Sequence, residues 1–327
     1  MRLSIALIAV LLSATVCAES KNVLKDTGVV CAVDMGSNTF KFIVAEIKNG
    51  EYSQHTDIRK TAGVGDDLKN SEKNSGRKII SDGKLKEIKS LLTGFQDECE
   101  RQTRSRRLYA IATAAFREAE NAKEISEQIR QQGVELQVLT GGQESIHAYE
   151  AATSAQPGFA VVDLGSRTTE IVSNTDGKYR WEVLSTGYRV AWDKFYAGAE
   201  TFSQSSAQHL KQLNEMIGAD QINILKRQKE LRLIEIGETA SYILGIPQNQ
   251  IEGKVITHNQ VKNRLKDLSA MDSKSFTELK KNFKDADRVL PRLVVVDFIL
   301  SKSGYDQFRG TDRELNVAII YNLSRLR

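Results

Sequence analysis

Val33-Asp34-Met35-Gly36-Ser37-Asn38-Thr39 returns in the middle of the chain as Val162-Asp163-Leu164-Gly165-Ser166-Arg167-Thr168. An apolar run leads into each copy, Cys31-Ala32-Val33 or Ala160-Val161-Val162. A second strand-like run leads out, Phe40 to Ile47 or Thr169 to Val172. Short apolar runs bounded by Asp-x-Gly read as buried strands ending in a tight turn. A third strand follows each time, near 51–60 and near 179–185. It is reached through Asn49-Gly50 or Asp176-Gly177, dipeptides that favour two-residue hairpins.

Beyond each trio, helices alternate with strands. The first stretch has a loop at 62–78, a helix from Ser81 to Cys99, strands at 108–112 and 134–139 around a helical 114–132, and a helix at 143–152. In the second, helices at 188–196 and 204–217 precede a strand at 231–236 and a helix at 238–244. The remainder reads as mainly helical, at 258–268, 274–282, 286–302 and 312–325. Two α/β halves of like topology follow from this pattern, with a hinge just after Gly141-Gly142. Their expected spans are 28–147 and 148–327.

The 327 residues are 40% apolar and 27% charged, enough for a core in each half. A net charge of +4, spread along the chain, argues against a nucleic-acid partner. Residues 1–18 read as a secretory signal peptide: Arg2, then an apolar run from Leu3 to Val16, then Val16-Cys17-Ala18 as a small-residue cleavage site. That run is short of the roughly 20 residues a spanning helix needs. A periplasmic or secreted protein with no membrane span is expected. Cys31 and Cys99 remain after cleavage. Export permits a disulfide between them, but burial of Cys31 in a strand as a small apolar residue is the preferred reading. With no C-x-x-C and four scattered histidines, a zinc site is not expected.

Chemistry concentrates at the twin turns. Asp34 and Asp163 end buried strands and would face a shared cleft, where paired carboxylates suit a hard divalent cation. Gly36 and Gly165 allow close backbone approach. Ser37, Asn38 and Thr39, with Ser166, Arg167 and Thr168, offer donors to phosphate oxygens. Glu144 opens a helix after Gly141-Gly142. It reads equally as a carboxylate favoured by the helix dipole and as a general base. Glu170 reads as an exposed strand residue or as a group positioning water or metal. Arg117 reads as a solvent-facing helix arginine beside Glu120 or as a bidentate phosphate grip. Arg101, Arg104, Arg106 and Arg107 read as a solvated helix end.

The order A-V-D-M-G-S-N-T-F-K (32–41), A-T-A-A-F-R-E-A-E-N (112–121), L-T-G-G-Q-E-S (139–145), V-V-D-L-G-S-R-T-T-E (161–170) and A-D-R-V-L-P-R-L (286–293) resembles the exopolyphosphatase and guanosine pentaphosphate phosphohydrolase family, in its short two-domain form. The resemblance implies an α/β, duplicated ribonuclease H-like fold of the actin-like ATPase superfamily, with two domains flanking a cleft. It implies release of terminal orthophosphate from inorganic polyphosphate, with Mg²⁺ or another divalent cation. Asp34 and Asp163 match the metal carboxylates, Glu144 and Glu170 the catalytic carboxylates, and Arg117 the arginine after A-T-x-A. Guanosine pentaphosphate is the alternative substrate, and a non-catalytic polyphosphate binder on a decayed scaffold the alternative class. A homodimer is left open. The chain departs from the family's D-x-G-G-G-S-T-E at Ser166 and Arg167, where side chains replace two glycines. Arg167 then either supplies a charged contact or obstructs the site. Gly237-Glu238-Thr239-Ala240 alters a later glycine-rich turn, and Gln143 stands where a carboxylate is common.

Overall fold

Apolar runs that end in Asp become the central strands of two sheets. The computed structural model describes residues 25–326 apart from 155, 227, 235–236, 248–249, 284–285, 312 and 314. The expected signal peptide lies outside the described residues. The first half runs β1 (Val30–Met35), β2 (Thr39–Lys48), β3 (Glu51–Thr61), α1 (Val64–Ser75), α2 (Asp82–Thr103), β4 (Leu108–Ala112), α3 (Ala114–Glu118), α4 (Ala122–Gln131), β5 (Val134–Val138) and α5 (Gly141–Thr153). The second runs β6 (Phe159–Leu164), β7 (Thr169–Thr175), β8 (Lys178–Leu184), α6 (Tyr188–Ala191), a π-helical turn (Trp192–Tyr196), α7 (Phe202–Met216), α8 (Ala219–Leu225), β9 (Glu230–Ile234) and α9 (Gly237–Leu244). It closes with β10 (Val255–Thr257), α10 (His258–Ser269), α11 (Ser273–Asn282), α12 (Ala286–Ser303), β11 (Gln307–Gly310) and α13 (Leu315–Leu326).

Strand order is β3-β2-β1-β4-β5 in one sheet and β10-β11-β9-β6-β7-β8 in the other. In each, the first strand pairs antiparallel with the second and parallel with the strand after the helices. This is the ribonuclease H-like order, present twice. The hairpins match as well: Asn49-Gly50 has φ 53° and 79°, and Asp176-Gly177 has φ 52° and 79°. Positive φ at both central residues is the turn that follows the twist of the strands.

Three apolar cores hold the layers. Helices α2 and α4 cover one face of the first sheet. Helix α5 fills the space between the sheets, together with Leu315 to Tyr321 of α13. Helices α7, α9, α10 and α12 cover the second sheet's other face. The last helix thus packs on β1 and β2 of the first sheet, although by sequence it falls in the second half. The expected boundary at 147/148 lies inside α5.

Three features differ from the sequence reading. The loop expected at 62–78 contains α1, whose only buried residues are Val64 and Leu68. Its limits are glycines in the left-handed region, Gly63 (φ 59°) and Gly76 (φ 72°), rather than an apolar period. The C-terminal region carries β10 and β11, whose shortness left no alternation to read. Phe308 is the one apolar residue of β11, and it is buried. Cys31 and Cys99 form a disulfide, Cα–Cα 5.9 Å, which fastens α2 to β1. The preferred reading of Cys31 as a free buried thiol is corrected here, because α2 lies directly on β1.

The bond closes a loop with a sequence separation of 68 residues. Removing it as Cys31→Ala/Cys99→Ala is expected to cost about 4 kcal/mol in the chain-entropy account, read from denaturant midpoints. A second prediction concerns His209, which is wholly buried, with Nδ1 3.1 Å from the Tyr196 hydroxyl. Burial first, and the Lys194 charge second, lower its pKa from 6.5 to about 4. The unfolded chain therefore takes up this proton near pH 6.5, while the folded one resists until about pH 4. Its contribution is complete above pH 6.5 and is lost as pH falls towards 4. The loss amounts to roughly 3 kcal/mol. Melting curves should show His209→Leu with a flatter slope across that window than the wild type.

Candidate active site

Each twin turn is held from behind. The carbonyls of Ser37 and Asn38 accept the amides of Gly65, Ala62 and Gly63, at 2.8, 2.8 and 3.0 Å. In the second copy, the carbonyls of Gly165, Ser166 and Arg167 accept Tyr188, Arg189 and Gly187, at 3.0, 3.0 and 2.8 Å. A peptide plane points its N–H opposite to its C=O. The amides of Asn38 and Thr39, and of Ser166, Arg167 and Thr168, therefore point away from these clamps. The glycines serve close packing. A Cβ on Gly36 would stand 3.0 Å from the Thr39 carbonyl oxygen, and one on Gly165 2.8 Å from that of Thr168. A Cβ on Gly187 would approach the Ser166-Arg167 peptide to 2.3–2.4 Å.

The turns line one cleft of about 450 Å³. Of the candidate metal, phosphate-binding and catalytic residues, all line it except Arg117 and Glu170. Asp34, Glu144 and Asp163 are each about 95% buried, so three carboxylates are set into the cleft wall. Glu170 is wholly buried and sits opposite Asp163 in the β6–β7 register. Its exposed-strand reading fails for that reason. Burial first, then the Glu144 and Asp163 charges, push its carboxyl well above the usual range. One of its oxygens, Oε1, accepts no hydrogen bond.

Arg117 is committed to protein. Its Nη1 donates to the Leu139 carbonyl at 2.9 Å and forms an ion pair with Glu144 Oε2. The structure thus places it as the fixer of Glu144 rather than on the cleft lining. Ser37 is similarly engaged, its Oγ accepting the Ala115 amide at 3.2 Å. Arg101, Arg106 and Arg107 pair with Glu98, Asp97 and Glu100, and Glu135, consistent with a solvated helix end.

Sequence reading missed the other cations of the cleft: Lys41, Arg59, Arg288 and Arg292. Lys41 lies 3.7 Å from Asp34 Oδ2, its partner in the β1–β2 register. Strand alternation after Asp34 carries that signal, since positions 39 and 41 share a face. Arg59 reaches the cleft from β3 beside Asp57 and Thr61, a period of two that the polar strand obscures. Arg292 is nearly buried, with its guanidinium 4.2 Å over the Tyr188 ring and Nε 3.4 Å from the Leu164 carbonyl oxygen. Its signal was the 286–293 stretch. The altered turn at Gly237–Ala240 opens α9, and the Glu238 side chain lies outside the described residues.

A divalent cation fits the donor set. Asp34 and Asp163 offer hard carboxylate oxygens, and the buried Glu170 Oε1 adds an acceptor behind them. Among the described residues no group of three or more acids, histidines or cysteines could hold a metal by itself. Mg²⁺ sites completed by water and substrate phosphates have that character.

Two ribonuclease H-like halves, with paired hairpin turns closing on one cleft, define a duplicated actin-like fold. The structure is similar to that of an Aquifex aeolicus Ppx/GppA family member (21% identity, 90% of this chain and 96% of the other, TM-score 0.75). It is also similar to an exopolyphosphatase from Cytophaga hutchinsonii (15% identity, 90% and 97%, TM-score 0.76). No curated protein matches the chain. The model of the Ppx/GppA phosphatase family matches residues 43–300, and the chain belongs to that family. Its members are phosphohydrolases.

The clamps make a prediction. Gly165→Ala and Gly187→Ala should each destabilise the protein by about 1–3 kcal/mol through overpacking. In Gly94→Ala, with nothing within 4 Å in the interior of α2, melting temperature should rise.

Proposed function

We propose that the chain is an exported exopolyphosphatase dependent on a divalent cation. The observation that carries the reading is the convergence of two amide-bearing turns, two aspartates and Glu144 on one cleft. A phosphate chain lies along the cleft with its oxygens against the outward amides of both turns. Lys41, Arg59, Arg288 and Arg292 supply the opposing charge. Glu144, fixed by Arg117, orients a water and takes its proton as the water oxygen bonds to the terminal phosphorus. The bridging P–O bond breaks in line, leaving orthophosphate and a chain shorter by one phosphate. Mg²⁺ bound at Asp34 and Asp163 would neutralise phosphate charge.

The Cys31–Cys99 bond supports export, since structural disulfides persist in oxidising compartments. An exported enzyme meets inorganic chains rather than a cytoplasmic nucleotide, which favours polyphosphate over guanosine pentaphosphate. Among the described residues no helix is long and apolar enough to cross a membrane.

Orthophosphate release from polyphosphate tests the reading, with Mg²⁺ and with a chelator. Release should stop on chelation, and Glu144→Gln should lower kcat by roughly 10²–10⁴-fold. Binding without release would mark a non-catalytic phosphate-chain protein. Faster release from guanosine pentaphosphate would transfer the assignment to that substrate.

A further inference from the structure

Arg167 occupies a turn position where the family resemblance leads to glycine, yet its guanidinium is held by an acid of the other half. Nε donates to Glu118 Oε1 at 3.1 Å, and Nη2 to Glu118 Oε2 at 2.5 Å. Lys78 Nζ also reaches Glu118 Oε2, at 3.4 Å. Burial opposes ionisation of Glu118, but Arg167 and Lys78 outweigh it and keep its carboxyl below the usual range.

Glu118 ends α3, which has only five residues. A helix of that length lacks the intrahelical ladder to hold itself, so its contacts set its orientation. Ala114, Ala115 and Phe116 seat it in the core of the first half, and its polar contacts reach three parts of the site. Ala115 donates its amide to Ser37 of the first turn, Arg117 pairs with Glu144, and Glu118 takes Arg167 of the second turn. Direct phosphate binding by Arg167 would compete with this bidentate bond.

We propose that Arg167 is a positioning residue: by holding Glu118 it fixes α3, and through Arg117 on the same helix it sets the Glu144 carboxylate against the cleft. The proposal rests on the hydrolase reading and assigns Arg167 to the catalytic step rather than to substrate affinity. Another ion pair between the halves, Lys69 Nζ to Asp193 Oδ2 at 2.8 Å, does not involve α3 and serves as the control.

Steady-state release of orthophosphate from polyphosphate decides it, on the wild type, Arg167→Ala, Glu118→Gln, the double variant and Lys69→Ala. Each of the first two substitutions should lower kcat by roughly 10- to 100-fold, with KM within about twofold. The double variant should be no worse than either single one, because both remove one bond. Lys69→Ala should stay within about twofold of wild type on both constants. A raised KM with kcat kept, an inert Glu118→Gln, additive losses, or an equal fall in Lys69→Ala overturns the proposal.

If the wild type releases no phosphate, the hydrolase reading fails, and thermal melting still decides the coupling. Glu144→Gln should then cost less melting temperature in the Arg167→Ala background than in wild type. Equal cost in both backgrounds overturns the proposal.

Discussion

The carbonyls of both hairpin tips are bonded to amides behind them, and peptide planarity turns the adjoining N–H groups the other way. That constraint organises the cleft. It explains why α1 and α6 begin where they do, since the chain just before or at the start of each supplies the clamping amides. It explains the glycines at 36, 165 and 187, where any Cβ would collide with the turn backbone. Asp34 and Asp163 stand next to last in the strands that enter these turns, and both carboxylates line one cleft.

Collecting acids there has an electrostatic cost, and the site offsets it in two ways. Cations are interleaved, with Lys41 beside Asp34 and Arg117 on Glu144. Glu170, behind Asp163, is pushed towards its neutral form by burial and then by the neighbouring acids. A buried carboxyl surrounded by like charges is expected to ionise only when positive charge is added nearby. The donor set therefore suits a divalent cation.

Much of this was legible because duplication supplies its own control. One Asp-x-Gly is an ordinary turn, while two copies in matched strand contexts fix a fold, and Asn49-Gly50 and Asp176-Gly177 reinforce it with the same turn geometry. What escaped was held by contacts rather than by pattern. Helix α1 has little apolar periodicity and is bounded by left-handed glycines. Strands β10 and β11 are too short to alternate visibly. Arg59 lies on a polar strand, and nothing in its neighbours marks the face that meets the cleft. The pairing of Cys31 with Cys99 depends on where α2 crosses β1, which spacing alone does not determine. Arg117 was found as a residue but not as a partner of Glu144, because that bond joins two segments across a strand.

The halves are duplicated, but their turns are not anchored alike. The first turn is secured within its own half, by Ser37 accepting the Ala115 amide and by the amides at 62–65. The second has the corresponding backbone clamp and, in addition, a side chain that crosses to the other half. Replacing glycine at such a tip need not close the amide arc, because backbone direction is set by residues 187–189. The side chain at 167 is then free to take a role of its own, and a long planar cation suits a carboxylate on the other half. The asymmetry adds a bond between the halves beside the cleft that both turns line, on the helix that also carries Arg117.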